Sequence, residues 1–191
     1  MIAMPEYPIF VKASEPIVKN IVTTLSQMFG RENVERVFAG KTIYITRGVE
    51  RNELFLVSAN MESFVSKYIK GVMKREPYSL GLFLGQIVKG KYEISMDIAE
   101  KLFIEAKRNA IMINDHASAL FLYGRDIMAK SILKMYPPLS RIVVVVNRFE
   151  DFLGLCKLTV KPKELLSGTL KGDEIVCLNV IDKGWFLRKG H

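Results

Sequence analysis

A run of five consecutive β-branched apolar residues, Ile142–Val146, limits the possible folds more than any other segment of the chain. Such a run is typical of a strand buried on both faces, because β-branched side chains favour extended backbone and no polar residue alternates with them. It is also far shorter than the roughly 20 residues that cross a bilayer as a helix. The run therefore predicts a buried strand in the core of a globular domain.

Short strand-like segments surround this run. They lie at residues 110–113, 152–160, 175–180 and 185–188. One compact helix, over residues 116–123 and ending at Gly124, and a helical turn around residues 163–167 interrupt them. This pattern is typical of a small β-barrel, with the last two strands paired through residues 182–184. The sequence thus predicts a barrel domain over residues 109–191.

The first 108 residues have a different pattern, in which amphipathic helices alternate with strands. The first helix is predicted between Ser14 and Gly30, the second is capped by Asn60 and buries Met61, Phe64, Val65, Tyr68, Ile69, Val72 and Met73, and the third covers residues 97–107. Strands are predicted at residues 36–39, 42–46 and 54–58, and a hairpin at residues 80–95. The expected fold class is an α/β (α+β) domain over residues 1–108, with a mixed, mainly antiparallel sheet and flanking helices, followed by the barrel.

The charge balance points towards a polyanionic partner. The chain has 28 Lys and Arg residues against 20 Asp and Glu, a formal net charge of +8. Such an excess favours nucleic acid ahead of a membrane surface. Apolar residues make up 49% of the chain, which excludes an intrinsically disordered protein.

Cysteine and histidine usage argues against metal chemistry. Cys156 and Cys177 are too few and too widely separated for a disulfide framework or a CxxC metal site, and we interpret them as small core residues. Two histidines leave little material for a histidine-rich site. The first residues lack the basic region and long apolar run of a secretory signal. We therefore expect a soluble intracellular protein that binds no metal or cofactor and no membrane.

Motifs that carry catalysis are absent from the sequence, which contains no nucleotide-binding glycine loop, serine-hydrolase elbow or zinc-protease helix. Two glycines within residues 80–85 favour close packing of a strand under a helix over a nucleotide loop. His116 is either a general base beside Asp115 or, as we favour, an exposed residue in a helix capped by Asn114 or Asp115. Trp185 either stacks on a nucleobase or packs within the last strand.

The cations best suited to phosphate contacts follow a predicted strand end and the helical turn after it. They are Lys157, Lys161, Lys163 and Lys171. Lys161-Pro-Lys163 places two cations on extended backbone, which suits contacts with successive phosphates. Gly124 and Arg125 form a second group, since an open helix–strand turn next to a cation also fits a phosphate. A solvated lysine face is the alternative explanation, and composition alone does not choose between the two.

Residues 119–127 resemble the first helix and turn of a PUA domain, a small RNA-binding barrel named for pseudouridine synthases and archaeosine transglycosylases. The segments that fit the rest of this barrel are residues 152–155, 172–176 and 180–188. The ending Asp182-x-Gly184, followed by apolar residues and Arg188, is specific. The resemblance implies that the helix ends at Gly124, although periodicity alone would extend it through residues 125–135.

Segments of the first domain indicate which family of PUA-containing proteins the chain resembles. Its segments at residues 37–38, 42–46, 54–58 and 79–85 are similar to those of the Nip-seven family of ribosome biogenesis factors. The family's members have an α/β domain followed by a PUA domain and assist assembly of the large ribosomal subunit. The resemblance implies a non-enzymatic protein that binds pre-ribosomal RNA, with uridine-rich single strands as candidate ligands, and other assembly factors. It assigns the RNA contacts to basic residues of the PUA surface.

Two other functions stay open. The chain could be an RNA-modifying enzyme, or the accessory subunit of one, with an appended PUA domain, although residues 1–108 contain no recognisable catalytic domain or methyl-donor loop. It could also be an adaptor that binds proteins through its first domain. For an RNA-binding assembly factor, the expected location is the cytoplasm of an archaeon or the nucleolus of a eukaryote.

Overall fold

The computed structural model describes residues 9–47, 52–69, 79–185 and 188. The chain divides into two compact units. The first unit comprises the residues up to Ser26 and Arg31–Ala99, and the second comprises Gln27–Gly30 and the residues from Glu100 onwards. The boundary between residues 108 and 109 remains a sequence-based prediction.

The first unit is built on an antiparallel sheet of five strands in the order β1-β2-β3-β4-β5. The strands are β1 (Ile9–Lys12), β2 (Lys41–Arg47), β3 (Asn52–Ser58), β4 (Leu82–Val88) and β5 (Lys91–Ile94). The helices are α1 (Glu15–Phe29), whose last residues belong to the second unit, and α2 (Arg31–Phe38), both between β1 and β2, and α3 (Glu62–Ile69) after β3. After β5 comes α4 (Met96–Ala106), which passes into the second unit at Glu100. The mainly antiparallel sheet with flanking helices is thus confirmed.

The strand predicted over residues 36–39 is wrong, because α2 continues to Phe38. Val34 and Val37 lie three positions apart and bury one side of this helix. On its exposed side, the Arg31 Nε and Glu35 Oε1 atoms are 2.6 Å apart, a pair one helical turn apart. The apolar residues of this helix, Val34, Val37 and Phe38, span little more than one turn, and the adjacent pair Val37-Phe38 also fits a short strand.

The predicted start of the second helix also needs correction. Asn60 does not cap α3 but lies within a short 3-10 turn, Ala59–Met61, that precedes it. Met61 is 44% exposed in this 3-10 turn and Phe64 is 38% exposed on α3, whereas Val65 is fully buried as predicted. The part of the predicted stripe from Val72 to Met73 lies outside the described residues.

Close approach of strands explains the glycines of residues 80–85. A Cβ atom at Gly85, whose φ is +127°, would overlap the backbone carbonyl of Glu93 on β5. The glycine therefore packs β4 against a neighbouring strand, rather than under a helix as predicted. The hairpin itself is confirmed: Lys89 and Gly90 both have positive φ, which matches the twist of the strands that they join.

The second unit contains a curled sheet of six strands in the order β7-β11-β10-β9-β6-β8. The strands are β6 (Ala110–Ile113), β7 (Ile127–Met128), β8 (Ile132–Tyr136), β9 (Ile142–Val146), β10 (Phe152–Leu158) and β11 (Ile175–Asp182). Two helices, α5 (Asp115–Leu122) and α6 (Pro162–Ser167), accompany them. Residues 143–146 of β9 are fully buried, and α5 ends before Gly124, so the valine strand and the end of the helix are confirmed.

The strand predicted over residues 185–188 is wrong, because Trp185 and Arg188 are helical. The Arg188 N–H donates to the Gly184 carbonyl at 3.1 Å. An extended chain would carry Arg188 roughly 20 Å beyond Asp182, since a strand rises about 3.3 Å per residue. The helical turn instead brings the Arg188 side chain back to the Asp182 carboxylate, at 2.9 Å.

The two cysteines form a disulfide, which the sequence analysis did not predict because it considered them too few and too widely separated for a disulfide framework. Cys156 lies on β10 and Cys177 on β11, and antiparallel pairing of these strands brings their Cα atoms to 5.7 Å despite a separation of 21 residues. Both residues are fully buried in the core of the second unit. Their assignment as core residues is therefore right, and only their pairing was missed.

We expect the disulfide to stabilise the second unit by about 3 kcal/mol, because a cross-link of this span restricts the unfolded chain. Urea denaturation under oxidising and reducing conditions measures this difference. The double variant Cys156→Ala, Cys177→Ala is the control and should show no dependence on reductant. Equal stability of the wild-type protein under both conditions would contradict the prediction.

An ionic cluster centred on Glu150 ties the turn between β9 and β10 to neighbouring segments. The Glu150 carboxylate accepts hydrogen bonds from Lys107 Nζ and Tyr136 Oη, both at 2.5 Å. Lys134 Nζ lies 3.9 Å from the same carboxylate and 4.3 Å from the centre of the Tyr136 ring. The Lys107 and Tyr136 hydrogen bonds hold the pKa of Glu150 below its usual value.

This lowered pKa predicts that the Glu150 cluster stabilises the protein above the ordinary carboxyl pKa. The contribution is lost as the pH falls through the lowered pKa, because protonation removes the charge that the two lysines contact. Since the side chain is one-third exposed, the contribution is at most about 1 kcal/mol. Thermal midpoints measured from neutral to acidic pH should fall less steeply for Glu150→Gln than for the wild type. Parallel curves would contradict this role.

Candidate nucleic-acid interface

A clasp formed by Asp182, Gly184 and Arg188 holds the end of α5. The Arg188 guanidinium donates two hydrogen bonds to the Asp182 carboxylate, each at 2.9 Å, and a third to the Leu122 carbonyl. These bonds with Asp182 raise the pKa of Arg188. A Cβ atom at Gly184 would overlap the Leu122 carbonyl, so this position requires glycine. The ending that the sequence analysis singled out therefore fixes the last turn of α5.

Gly124 and Arg125 form the turn that follows the clasped helix end. Gly124 has a φ of +83°, and the N–H groups of both residues donate to carbonyls of α5, at 2.8 and 3.1 Å. Asn179 on β11 braces the turn from the other side, because its side chain donates to the Phe121 carbonyl and its N–H donates to the Asp126 carboxylate, both at 2.8 Å. Arg125 is exposed on this fixed turn.

Lys157 lies on the outer face of β10. Its neighbours Cys156 and Leu158 are buried in the core, and the alternation of side chains along a strand places Lys157 on the opposite face. In the register of the sheet, Lys157 is paired with Ile142 on β9 and with Leu178 on β11. Leu178 is 40% exposed, so the lysine borders accessible apolar surface.

Lys161 and Lys163 differ in backbone conformation, which corrects the prediction that both are extended. Lys161 is extended, with φ −68° and ψ 143°, but Pro162 begins α6 and Lys163 belongs to that helix. The Glu164 carboxylate accepts the Lys161 N–H at 3.1 Å. Both lysines are exposed, so they present their charges from the start of one short helix rather than along one extended segment.

Lys171 lies in the loop between α6 and β11, next to a lysine that the sequence analysis missed. Lys130 donates its N–H to the Gly172 carbonyl at 3.0 Å, which places it beside this loop. Lys171 lines an open depression of about 550 Å³ together with Asp173 and Glu174. The acidic neighbours make this end of the surface mixed in charge. Lys130 was missed because helical periodicity masked its segment.

The predicted residues border one strand pair, β7 with β11, and the adjoining end of β10. Arg125 precedes β7 at one end of the pair. Lys171 lies at the other end, beyond the paired residues Met128 and Ile175. The Thr159 N–H donates to the Val176 carbonyl at 3.0 Å, and this bond ties the segment leading to Lys161 to β11. The six predicted residues thus lie on or beside β7, β10 and β11, with Gly124 and Arg125 at one end of the β7–β11 pair and Lys171 at the other.

These residues differ from other cations of the second unit in whether a carboxylate pairs with them. The cations held by a carboxylate are Lys107, Lys134, Arg148, Lys183 and Arg188. Within the described part of the chain, the cations without an ion pair include Arg125, Lys157, Lys161, Lys163 and Lys171, and also the unpredicted Lys130 and Arg141. An exposed cation that no carboxylate neutralises can exchange its counterion for a phosphate.

The other sequence candidates have structural roles. The Asn114 side chain caps α5 by accepting the Ala117 N–H at 2.9 Å, and Asp115 pairs with Arg148 at 3.1 Å. His116 is exposed in the first turn, as the favoured interpretation predicted. Trp185 is 37% exposed.

Among residues 9–47, 52–69, 79–185 and 188, no group of three or more potential metal ligands is present. Within the same ranges, no helix is long and apolar enough to cross a membrane.

Solved structures share this fold. A hypothetical protein from Pyrococcus horikoshii OT3 superposes with a TM-score of 0.63 at 17% identity, over 94% of this chain and 99% of that one. A PUA domain protein from Aeropyrum pernix K1, solved as a tartrate complex, gives 0.59 at 10% identity, over 95% and 94% of the two chains. A conserved PUA domain protein from Thermoplasma acidophilum gives 0.56 at 13% identity, over 93% and 96%. At these identities the similarity shows the fold alone.

Sequence comparison gives the family. A family model described as the UPF0113 PUA domain matches residues 109–191, which are therefore a PUA domain, a class associated with RNA binding. A UPF0113 protein of Archaeoglobus fulgidus is 32% identical over 126 residues, which cover 65% of this chain and 70% of that protein. The chain belongs to the UPF0113 family.

Proposed function

We propose that this protein binds RNA through its PUA domain and acts, without catalysing a reaction, in assembly of the large ribosomal subunit. The observation that carries the RNA-binding part is the set of exposed cations on this domain that have no ion pair within the described residues. They are Arg125, Lys161, Lys163 and Lys171, and the half-buried Lys157 on the outer face of β10 adds a fifth cation without an ion pair in that part of the chain. Phosphate contacts by such cations release counterions and supply most of the affinity for RNA.

The surface between these cations suits unpaired RNA. Apolar side chains that are 38–53% exposed lie on β7 and β11, namely Met128, Ile175, Leu178 and Val180. Splayed bases of single-stranded or looped RNA can contact apolar surface while their phosphates contact the flanking cations. A double helix keeps its bases stacked inside and would use the cations alone. The arrangement therefore favours single-stranded or looped RNA.

The role in ribosome assembly is supported by the sequence resemblance to the Nip-seven family, which extends over both domains. On this proposal the ligand is pre-ribosomal RNA, and other assembly factors bind alongside it. Exposed apolar residues of the first unit, such as Ile9 and Met61, offer contacts for a protein partner. The proposed site of action is inside the cell, in the cytoplasm of an archaeon or the nucleolus of a eukaryote.

An RNA-modifying enzyme, or its accessory subunit, would use the same PUA surface, so RNA affinity alone does not separate the two functions. An adaptor would need the first unit and not the PUA cations. Two measurements distinguish these possibilities: the dependence of RNA affinity on the PUA cations, and the identity and chemical state of the RNA that is bound.

The quadruple variant Lys157→Ala, Lys161→Ala, Lys163→Ala, Lys171→Ala should bind short uridine-rich and adenine-rich RNA less tightly than the wild type. The slope of log affinity against log salt should decrease by up to about 3, because each lost phosphate contact with a single strand contributes about 0.7. Fluorescence titrations at several salt concentrations measure both quantities.

The matched control removes four other exposed lysines, Lys19, Lys67, Lys91 and Lys101, which also lack an ion pair within the described residues. The control has the same net charge as the quadruple variant but keeps the predicted contacts. If both variants lost the same affinity, binding would depend on net charge and not on this surface. Thermal midpoints of both proteins verify that they are folded.

Incubation of the tagged full chain with total archaeal RNA, followed by cross-linking and sequencing, should recover large-subunit ribosomal RNA and its precursors in excess over small-subunit RNA. The quadruple lysine variant should lose this enrichment. Mass spectrometry of nucleosides from the bound RNA should reveal no new modification. Recovery of a different RNA class would contradict the role in ribosome assembly, and a new modified nucleoside would favour the enzyme.

A further inference from the structure

We propose that Tyr123 is a stacking platform for an unpaired nucleobase whose adjoining phosphate contacts Arg125. This inference rests on the proposed RNA binding and adds to it the residue that contacts a base. It follows from three features of the turn after α5: the exposure of the tyrosine ring, the rigidity of its backbone, and the charge of its surroundings.

The Tyr123 side chain is 73% exposed, although an aromatic ring is normally buried over most of its surface. Within the described residues its ring has no aromatic, cation–π or side-chain hydrogen-bond partner. The ring makes no visible contribution to the core of the second unit. Its surface is therefore available to a ligand.

Hydrogen bonds and the conformation of Gly124 fix the backbone that carries this ring. The Tyr123 N–H donates to the Leu120 carbonyl at 3.0 Å, and Gly124 completes the helix end with its positive φ. The preceding carbonyl, that of Leu122, is bound by the clasp residue Arg188. A ring on a fixed backbone has only two side-chain torsions to order, so binding loses little conformational entropy.

The charges beside the ring suit a polyanion. Arg125 lies two residues further on, exposed and without an ion pair in the described part of the chain. The nearest carboxylate in sequence, that of Asp126, already accepts the Asn179 N–H at 2.8 Å. Proteins that bind single-stranded nucleic acid combine such a ring for the base with a nearby cation for the phosphate.

Phe149 provides a contrast within the same domain. It is 76% exposed, on the turn between β9 and β10. However, its neighbour Arg148 is paired with Asp115, and Glu150 on its other side binds Lys107. An equally exposed ring thus lies among neutralised charges, which makes Phe149→Ala the matched control for Tyr123→Ala.

The test measures the affinity of Tyr123→Ala, Tyr123→Phe and Phe149→Ala for short oligoadenylate and for an abasic oligonucleotide of the same length. Tyr123→Ala should bind oligoadenylate about 5- to 100-fold more weakly, the range expected for loss of one stacked base. Tyr123→Phe should stay within about twofold of the wild type, because phenylalanine preserves the ring, and Phe149→Ala should be unchanged. The salt slope of Tyr123→Ala should equal that of the wild type, since stacking releases no counterions.

The abasic probe separates stacking from a change in fold or charge, because Tyr123→Ala should not weaken its binding. Equal loss on both probes, or equal loss in Phe149→Ala, would overturn the proposal. If Tyr123→Ala binds oligoadenylate like the wild type while the quadruple lysine variant is weakened, stacking is wrong and the proposed RNA binding stands. If the wild type binds neither probe, both proposals are wrong.

Discussion

The bidentate ion pair between Asp182 and Arg188 is the interaction on which the candidate interface depends. The Asp182 carboxylate is only 1% exposed, and a buried charge without a partner would destabilise the domain by about 3–5 kcal/mol. The same guanidinium donates a hydrogen bond to the Leu122 carbonyl. The Arg188 side chain therefore neutralises the buried Asp182 carboxylate and also binds a carbonyl at the end of α5. The turn that carries Tyr123 and Arg125 begins at that helix end.

The disulfide lies beneath the same surface and links two of the strands that form it. Cys156 immediately precedes Lys157 on β10, and Cys177 immediately precedes Leu178 on β11. Because strand side chains alternate, the bridge joins the strands on their buried face, while the register pairs Lys157 with Leu178 outside. The relative position of this lysine and this leucine is therefore set by a covalent link as well as by backbone hydrogen bonds.

Acidic residues of the second unit hold some of its cations in ion pairs and leave others without an ion pair in the described residues. Glu150 alone contacts Lys107 and Lys134, and Asp115 contacts Arg148. These cations stabilise turns and are already neutralised. The excess positive charge is consequently not spread evenly over this unit, and several cations that border β7, β11 and the end of β10 have no ion pair with any described residue.

Local patterns in the sequence were sufficient to predict the valine strand, the first helix and a mainly antiparallel sheet with flanking helices, whereas the helix end at Gly124 was implied by the resemblance to a PUA domain against the periodicity. Each depends on residues close in sequence: β-branching, apolar spacing, capping and backbone freedom at glycine. The same local reasoning failed for α2, whose three apolar residues span little more than one helical turn. It also failed for residues 185–188, where apolar character alone suggested a strand.

What the tertiary structure decided involves residues far apart in the chain. The pairing of β10 with β11 brings together two cysteines 21 positions apart, and the helical backbone at Trp185 and Arg188 brings the Arg188 guanidinium to the buried Asp182 carboxylate. The position of Lys130 beside the Lys171 loop depends likewise on a backbone hydrogen bond to Gly172. The sequence by itself determined which segments are helical or extended where the pattern is long, and which residues carry charge. Which charges are neutralised, and which are left for a ligand, was decided only by folding, because an ion pair depends on distance in space and not on separation along the chain.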